Sequence, residues 1–261
     1  MVSGRVSGRV SGKVSGMVSG RVSGRVSGKV SGKVSGRVTG QCEFRDSIVF
    51  NSDDCLVGVG YRVSSTPATA TYDNLLLYAM ANGPIALAYG PRYDPNKDYP
   101  VTITNIDAAN YQLSSASIIN SQALIKIYDE SVSSLSATIS ASPYDWGLFN
   151  VTLSSIRFEG SSCIPFIKMG NLDDPFMTGS GISFGNYSGI IFKDISVSGY
   201  PGTLSSLIQG LNASNTVKHA QFTDVVINGA SITEDNYRTY FTFDATTDPT
   251  LVDSDITFNT T

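Results

Sequence analysis

Histidine is nearly absent from this chain of 261 residues: His219 is the only one. Cysteine is scarce as well, with Cys42, Cys55 and Cys163, an odd count that allows at most one disulfide. No Cys/His cluster has zinc-ligand spacing and no Gly-rich phosphate loop follows a strand, so neither a metal nor a nucleotide cofactor is expected. Charged side chains make up only 15% of the chain, and no stretch shows a convincing helical period, which argues against a helical protein. No run of 18 apolar residues exists, which excludes a membrane-spanning helix. The first forty residues contain no acid and no apolar core of a secretory signal.

What is abundant is Ser, Thr, Asn and Gly around short apolar pairs, and those pairs recur in one phrase. An apolar residue is followed two places on by Asp, Asn or Ser, then by an apolar residue, and by another two later. It reads Phe44-x-Asp46, Tyr72-x-Asn74-Leu75-x-Leu77, Ile103-x-Asn105-Ile106-x-Ala108, Leu153-x-Ser155-Ile156-x-Phe158, Phe192-x-Asp194-Ile195-x-Val197 and Phe222-x-Asp224-Val225-x-Ile227. The starts are 28, 31, 50, 39 and 30 residues apart, and the widest gap has room for a degenerate copy near Val132-x-Ser134-Leu135-x-Ala137. A period near 30 residues is the mark of a stacked architecture. Apolar residues at period two face one side of a strand, and Asn or Asp tolerates the left-handed backbone of a corner. The phrase therefore predicts an all-β fold, a right-handed parallel β-helix in which each strand pairs with its counterpart in the next coil.

Residues 1–40 are different: ten copies of Val-Ser-Gly or Val-Thr-Gly, each preceded by Arg, Lys or Met. Codons for these three residues can differ by the middle base, which points to an expanded twelve-base DNA repeat, and because Met1 sits in its phase the expectation is either an internal Met of a longer repeat or a gene-model artefact. The tract holds eight of the 18 basic residues, leaving residues 41–261 with 10 basic and 22 acidic side chains, a formal −12. A basic tail on an acidic body can be read as a nucleic-acid arm. With Gly at every fourth position and no large core residue, the tract is instead expected to be an unstructured, low-complexity segment, with addition as an irregular edge strand the lesser alternative. Residues 41–261 are expected to form one domain.

The main chemical signal is Asn51-Ser52-Asp53-Asp54-Cys55-Leu56. Two carboxylates brought close cannot both stay comfortably ionised, so one suits general-acid work, as glycosidic bond cleavage requires. An Asp-Asp pair alone is commonly a solvated turn, the reading preferred for Asp173-Asp174 before Pro175. Tyr89, Arg92, Tyr93 and Trp146 are candidates for a sugar cleft, because aromatic faces stack on pyranose rings and Arg bonds hydroxyls. His219 is expected to be a satisfied structural imidazole rather than a catalytic one.

From Phe44 to about Phe258 the chain resembles the pectin-lyase-like β-helix glycoside hydrolases, and within them the dextranase and isopullulanase family. The segments that carry the resemblance are Asn51 to Val57, Asn82-Gly83-Pro84-Ile85 running to Gly90-Pro91-Arg92, and Ile156 to Gly160 with Cys163 and Lys168. The resemblance implies a secreted protein that hydrolyses internal bonds of an α-glucan with inversion. Asp53 and Asp54 would be two of three catalytic aspartates, and Gly90-Pro91-Arg92 the wall of the cleft. Polygalacturonases share Asp-Asp-Cys, but their Gly-His-Gly pair is absent here. The third aspartate of the family lies one coil before the pair, where this chain has its Val-Ser-Gly tract. The chain as given is therefore expected to be weak or inactive, and a non-catalytic carbohydrate-binding or structural β-helix is the alternative. The expected partner is a polysaccharide, with no nucleic acid, no membrane and a monomeric state.

Overall fold

A computed structural model of the chain describes residues 2–15, 18–31, 37–50, 56–58, 69–78, 84–89, 100–109, 123–129, 147–160, 165–170, 186–199, 205–210, 216–252 and 254–261. They form an all-β protein, and the one helical element among them is a single 3₁₀ turn, Tyr237–Thr239. In chain order the strands are β1 (Val2–Ser15), β2 (Val18–Ser31), β3 (Arg37–Phe50), β4 (Leu56–Gly58), β5 (Thr69–Tyr78), β6 (Ile85–Tyr89), β7 (Val101–Ala109) and β8 (Ile125–Asp129). They continue as β9 (Gly147–Glu159), β10 (Ile167–Gly170), β11 (Asn186–Ser198), β12 (Ser206–Gln209), β13 (Val217–Ile227), β14 (Ala230–Ser231), β15 (Phe241–Phe243) and β16 (Thr257–Asn259).

These strands build two sheets. The long strands run β1-β2-β3-β5-β7-β9-β11-β13, with β14 and β16 beside β13, and the short ones run β15-β12-β10-β8-β6-β4. From β3 to β13 the chain visits the two sheets alternately and advances one place in each. Pairing is parallel throughout both sheets except for β13 with β14. One apolar column runs through the long-strand sheet: Phe44, Tyr72, Ile103, Leu153, Phe192, Phe222 and Phe258 lie in register and are all buried. Fully burying such a side chain stabilises by about 1.5–3 kcal/mol. Ile85, Ile125 and Ile167 face this column from the short-strand sheet as parts of the same core.

The polar residue of each phrase is the corner that sequence predicts. Asp46, Asn74, Asn105, Ser155, Asp194 and Asp224 all have left-handed backbones, with φ of 51, 54, 55, 53, 52 and 53°. Pairing steps over each corner: Arg45 faces Asp73 and Ser47 faces Leu75, while Asp46 and Asn74 between them bend the strand. A single left-handed residue costs an ordinary side chain roughly 1–2 kcal/mol, and Asn or Asp least. Asn74 offsets part of this by donating from Nδ2 to Asp46 Oδ1 of the preceding coil at 2.9 Å. A second column of positive φ holds Asn150, Gly189, His219 and Asp255.

β7 pairs directly with β9, Val101 facing Val151, and the degenerate copy expected near residues 132–137 lies outside the described residues. The basic tract, expected as an unstructured segment or, as the lesser alternative, an edge strand, contributes β1 and β2 to the edge of the long-strand sheet. β1 and β2 pair over fourteen consecutive partners at an offset of 16 residues, four repeats of four, so every Val meets a Val and every Gly a Gly. Identical copies satisfy one another's backbone groups in such a register without the large side chains a core demands. Where β2 meets β3 the register shifts between Ser27 and Gly28, because β3 spends its extra residue on the corner at Asp46.

Candidate functional site

Two sets of outward positions meet on the long-strand sheet. The first is the corner column, where the left-handed backbone turns Asn74, Asn105, Ser155 and Asp194 out of the core. The second is the residue between the two apolar positions that follow each corner, which places Asp107, Arg157 and Ser196 in register on β7, β9 and β11. Between them lies a groove of about 280 Å³ lined by these seven polar side chains.

Hydrogen bonds between neighbouring strands fix the lining. Asn105 Nδ2 donates to Asp73 Oδ1 at 2.8 Å, and Asp73 also lies 3.5 Å from Arg45. Arg157 donates from Nε and Nη2 to the two oxygens of Asp107, at 2.6 and 2.9 Å. That fork holds the guanidinium further above its already high range, chiefly through the hydrogen bond and charge of Asp107, with Glu159 and Asp194 adding to it. Ser154 donates to Thr104 Oγ1 at 3.1 Å one step along the same strands. Both partners of the Arg157–Asp107 pair are open to solvent, so it orders the groove more than it stabilises the fold. Asp107 and Asp194 against Arg157 leave the lining one negative charge. Chemically this is a fixed set of amide, hydroxyl, guanidinium and carboxylate groups without an aromatic face.

Of the candidate residues read from sequence, the described ones, Tyr89 and His219, do not line this groove. Asp53 and Asp54, together with Arg92, Tyr93 and Trp146, lie outside the described residues. Tyr89 ends β6 in register with Asp129 of β8. Lys168 lies in β10 in register with Lys126 of β8. His219 is exposed, and its Nδ1 lies 2.9 Å from Asp255 Oδ2, the next member of its left-handed column. Among the described residues no group of His, Cys, Asp and Glu is arranged to hold a metal ion. No described helix is long and apolar enough to cross a membrane.

Sequence reasoning did not single out the groove. Its corner half was visible as the polar residue of each phrase. Its other half depends on which intervening residues stack, and Asp107 and Arg157 are 50 residues apart. Aligning the phrases in register is the signal that brings those two together. Comparison of the chain with protein-family models, with curated proteins and with solved structures finds no match.

Proposed function

We propose that this chain is a right-handed parallel β-helix of the pectin-lyase type, secreted, and that it acts on a polysaccharide, with Asp53 and Asp54 sharing the acid and base roles of glycosidic hydrolysis. The observation that supports the reading is the parallel, two-sheet strand order. Parallel strands alternate between two sheets with a polar left-handed corner in every phrase, and in the sequence only Cys55 separates Asp53-Asp54 from β4 of the short sheet. A stack of equivalent strands offers a linear polymer the same contact at each step. A carboxyl that keeps its proton next to an ionised neighbour supplies the leaving-group proton, while the ionised one activates water.

A second reading, a non-catalytic carbohydrate-binding coil, has its own support. The coil that pairs ahead of β3 is made from the tract, and the tract contains no acid to serve as a third carboxylate. Reducing-sugar release from dextran, pullulan and polygalacturonate separates the two. We expect weak turnover of an α-glucan by the chain, lowered at least about 10²-fold by Asp53→Asn and by Asp54→Asn without loss of fold. Robust turnover indifferent to both substitutions removes the pair from the chemistry. No turnover on any of the three polymers, with binding retained, leaves the non-catalytic reading.

A further inference from the structure

The groove on the long-strand sheet is separate from the sheet that β4 enters, and the hydrolytic reading makes no use of it. We propose that it is a second glycan-binding site, built for a neutral polyhydroxylated chain and not for an acidic one. The inference rests on the reading of the chain as a polysaccharide-active protein and assigns that reading a further surface.

Three features point to this ligand. The lining is wholly polar yet already ordered: Asn74 is tied to Asp46, Asn105 to Asp73 and Arg157 to Asp107 before anything binds. Side chains held in place by the neighbouring coil lose little further freedom on binding, so even modest hydrogen bonds yield affinity. An amide that spends one N–H on its neighbour keeps a second N–H and an oxygen, a guanidinium forked onto one carboxylate keeps further N–H groups, and Ser155 and Ser196 each offer a hydroxyl. Donors and acceptors mixed at this spacing match vicinal hydroxyls, which both give and accept. Charge then selects among glycans. Arg157 is already neutralised by Asp107, and Asp194 and Glu159 stand near it, so a uronate or sulfate meets net negative charge at a site with no unclaimed cation. A metal ion is disfavoured by the same arrangement, because Asp107 spends both oxygens on Arg157. The volume of about 280 Å³ is at the lower end for small-ligand sites and fits one or two sugar units, with the chain continuing along the stack.

The test uses the full chain carrying Asp53→Asn and Asp54→Asn, so that binding is read without hydrolysis. Affinity electrophoresis and calorimetry with dextran, pullulan and polygalacturonate are the probes. We expect the double variant to bind a neutral glucan and to bind polygalacturonate at least tenfold more weakly. Adding Asn105→Gly, which removes the amide but keeps a residue suited to a left-handed backbone, should weaken glucan binding about tenfold or more. Ser196→Ile, which suits an exposed strand position while narrowing the groove, should do the same. Glucan binding unchanged by both substitutions overturns the site, and so does equal or tighter binding of polygalacturonate. Failure of the hydrolytic reading looks different: it removes turnover in the parent chain and leaves this binding and its dependence on Asn105 and Ser196 intact.

Discussion

The two ends of the long-strand sheet pair by opposite means. At the N-terminal end β1 and β2 match fourteen residues without a skipped position, and their sequence holds nothing larger than Val and the basic side chains. At the C-terminal end β11 and β13 are each interrupted by a left-handed corner, and the rings of Phe192, Phe222 and Phe258 stack at 4.5 and 4.8 Å. Tyr237 covers the last ring at 4.7 Å, and Phe241 meets both Phe222 and Phe258 at 5.1 Å from the short-strand sheet. A repeat supplies register, whereas a corner and a stacked aromatic column supply a core. Only the second gives a coil substantial buried area of its own.

The largest effect expected follows from that difference. Phe222 is packed between two parallel rings with a third against its edge, so Phe222→Ala opens a cavity that its neighbours cannot easily close. A loss of about 3–5 kcal/mol is expected, read as a lowered urea midpoint in circular dichroism. Removing residues 2–31 should shift that midpoint far less. If the deletion costs as much as Phe222→Ala, the tract is part of the core and the comparison fails.

A smaller effect sharpens the role of the corner. Asn74→Ala places an ordinary side chain at φ 54° and removes the bond to Asp46, which together should cost about 1–2 kcal/mol. Asn74→Gly loses the same bond but accepts the backbone, so it should cost less than the Ala variant. Equal losses in the two variants would mean that the hydrogen bond alone matters and that the left-handed turn carries no cost here.

These corners were legible in the sequence because left-handed tolerance is a property of one residue and its own backbone. Asp46, Asn74, Asn105, Ser155, Asp194 and Asp224 were all visible as the polar member of the phrase, and all six adopt the turn. The buried column was legible for a similar reason, since Phe44, Ile103 and Phe192 recur at the same place in each copy. What was not legible depends on pairing between distant segments. Whether a coil fits between Ala109 and Gly147 is decided by β7 and β9 finding each other. The tract left two readings open in sequence, because it lacks a core and yet matches itself every four residues. The groove needed Asp107, Arg157 and Ser196 placed side by side, which no local pattern does. The aspartates at 53 and 54 stood out by chemistry alone, and they lie outside the described residues.

The smallest effect expected concerns acid, and it belongs to the C-terminal end alone because residues 1–40 hold no carboxylate. Asp248 accepts from Arg238 Nη2 at 2.6 Å and from the backbone and hydroxyl of Thr250 at 2.9 and 2.8 Å, which together hold its carboxyl below the usual range, the Arg238 bond foremost. Asp224 is likewise held low, by the hydroxyl and then the backbone N–H of Thr261 at 2.6 and 2.8 Å. A carboxyl whose folded pKa is depressed adds stability that is complete above its unfolded value near 4 and is lost as pH falls through the folded value. Arg238 stays charged throughout this range, so the loss comes from the carboxylates. Relief of repulsion in the acidic body acts in the opposite direction, which is why a difference must be measured. Unfolding midpoints of the parent and of Asp248→Asn should be separated by a constant gap between pH 7 and about pH 5, and the gap should close as pH drops through about 4 toward 3. The gap itself should be under about 1 kcal/mol, as for other ion pairs with one partner in solvent. A gap that stays constant down to pH 3 would show that Asp248 titrates as an ordinary carboxylate and that its hydrogen bonds do not secure this end of the stack.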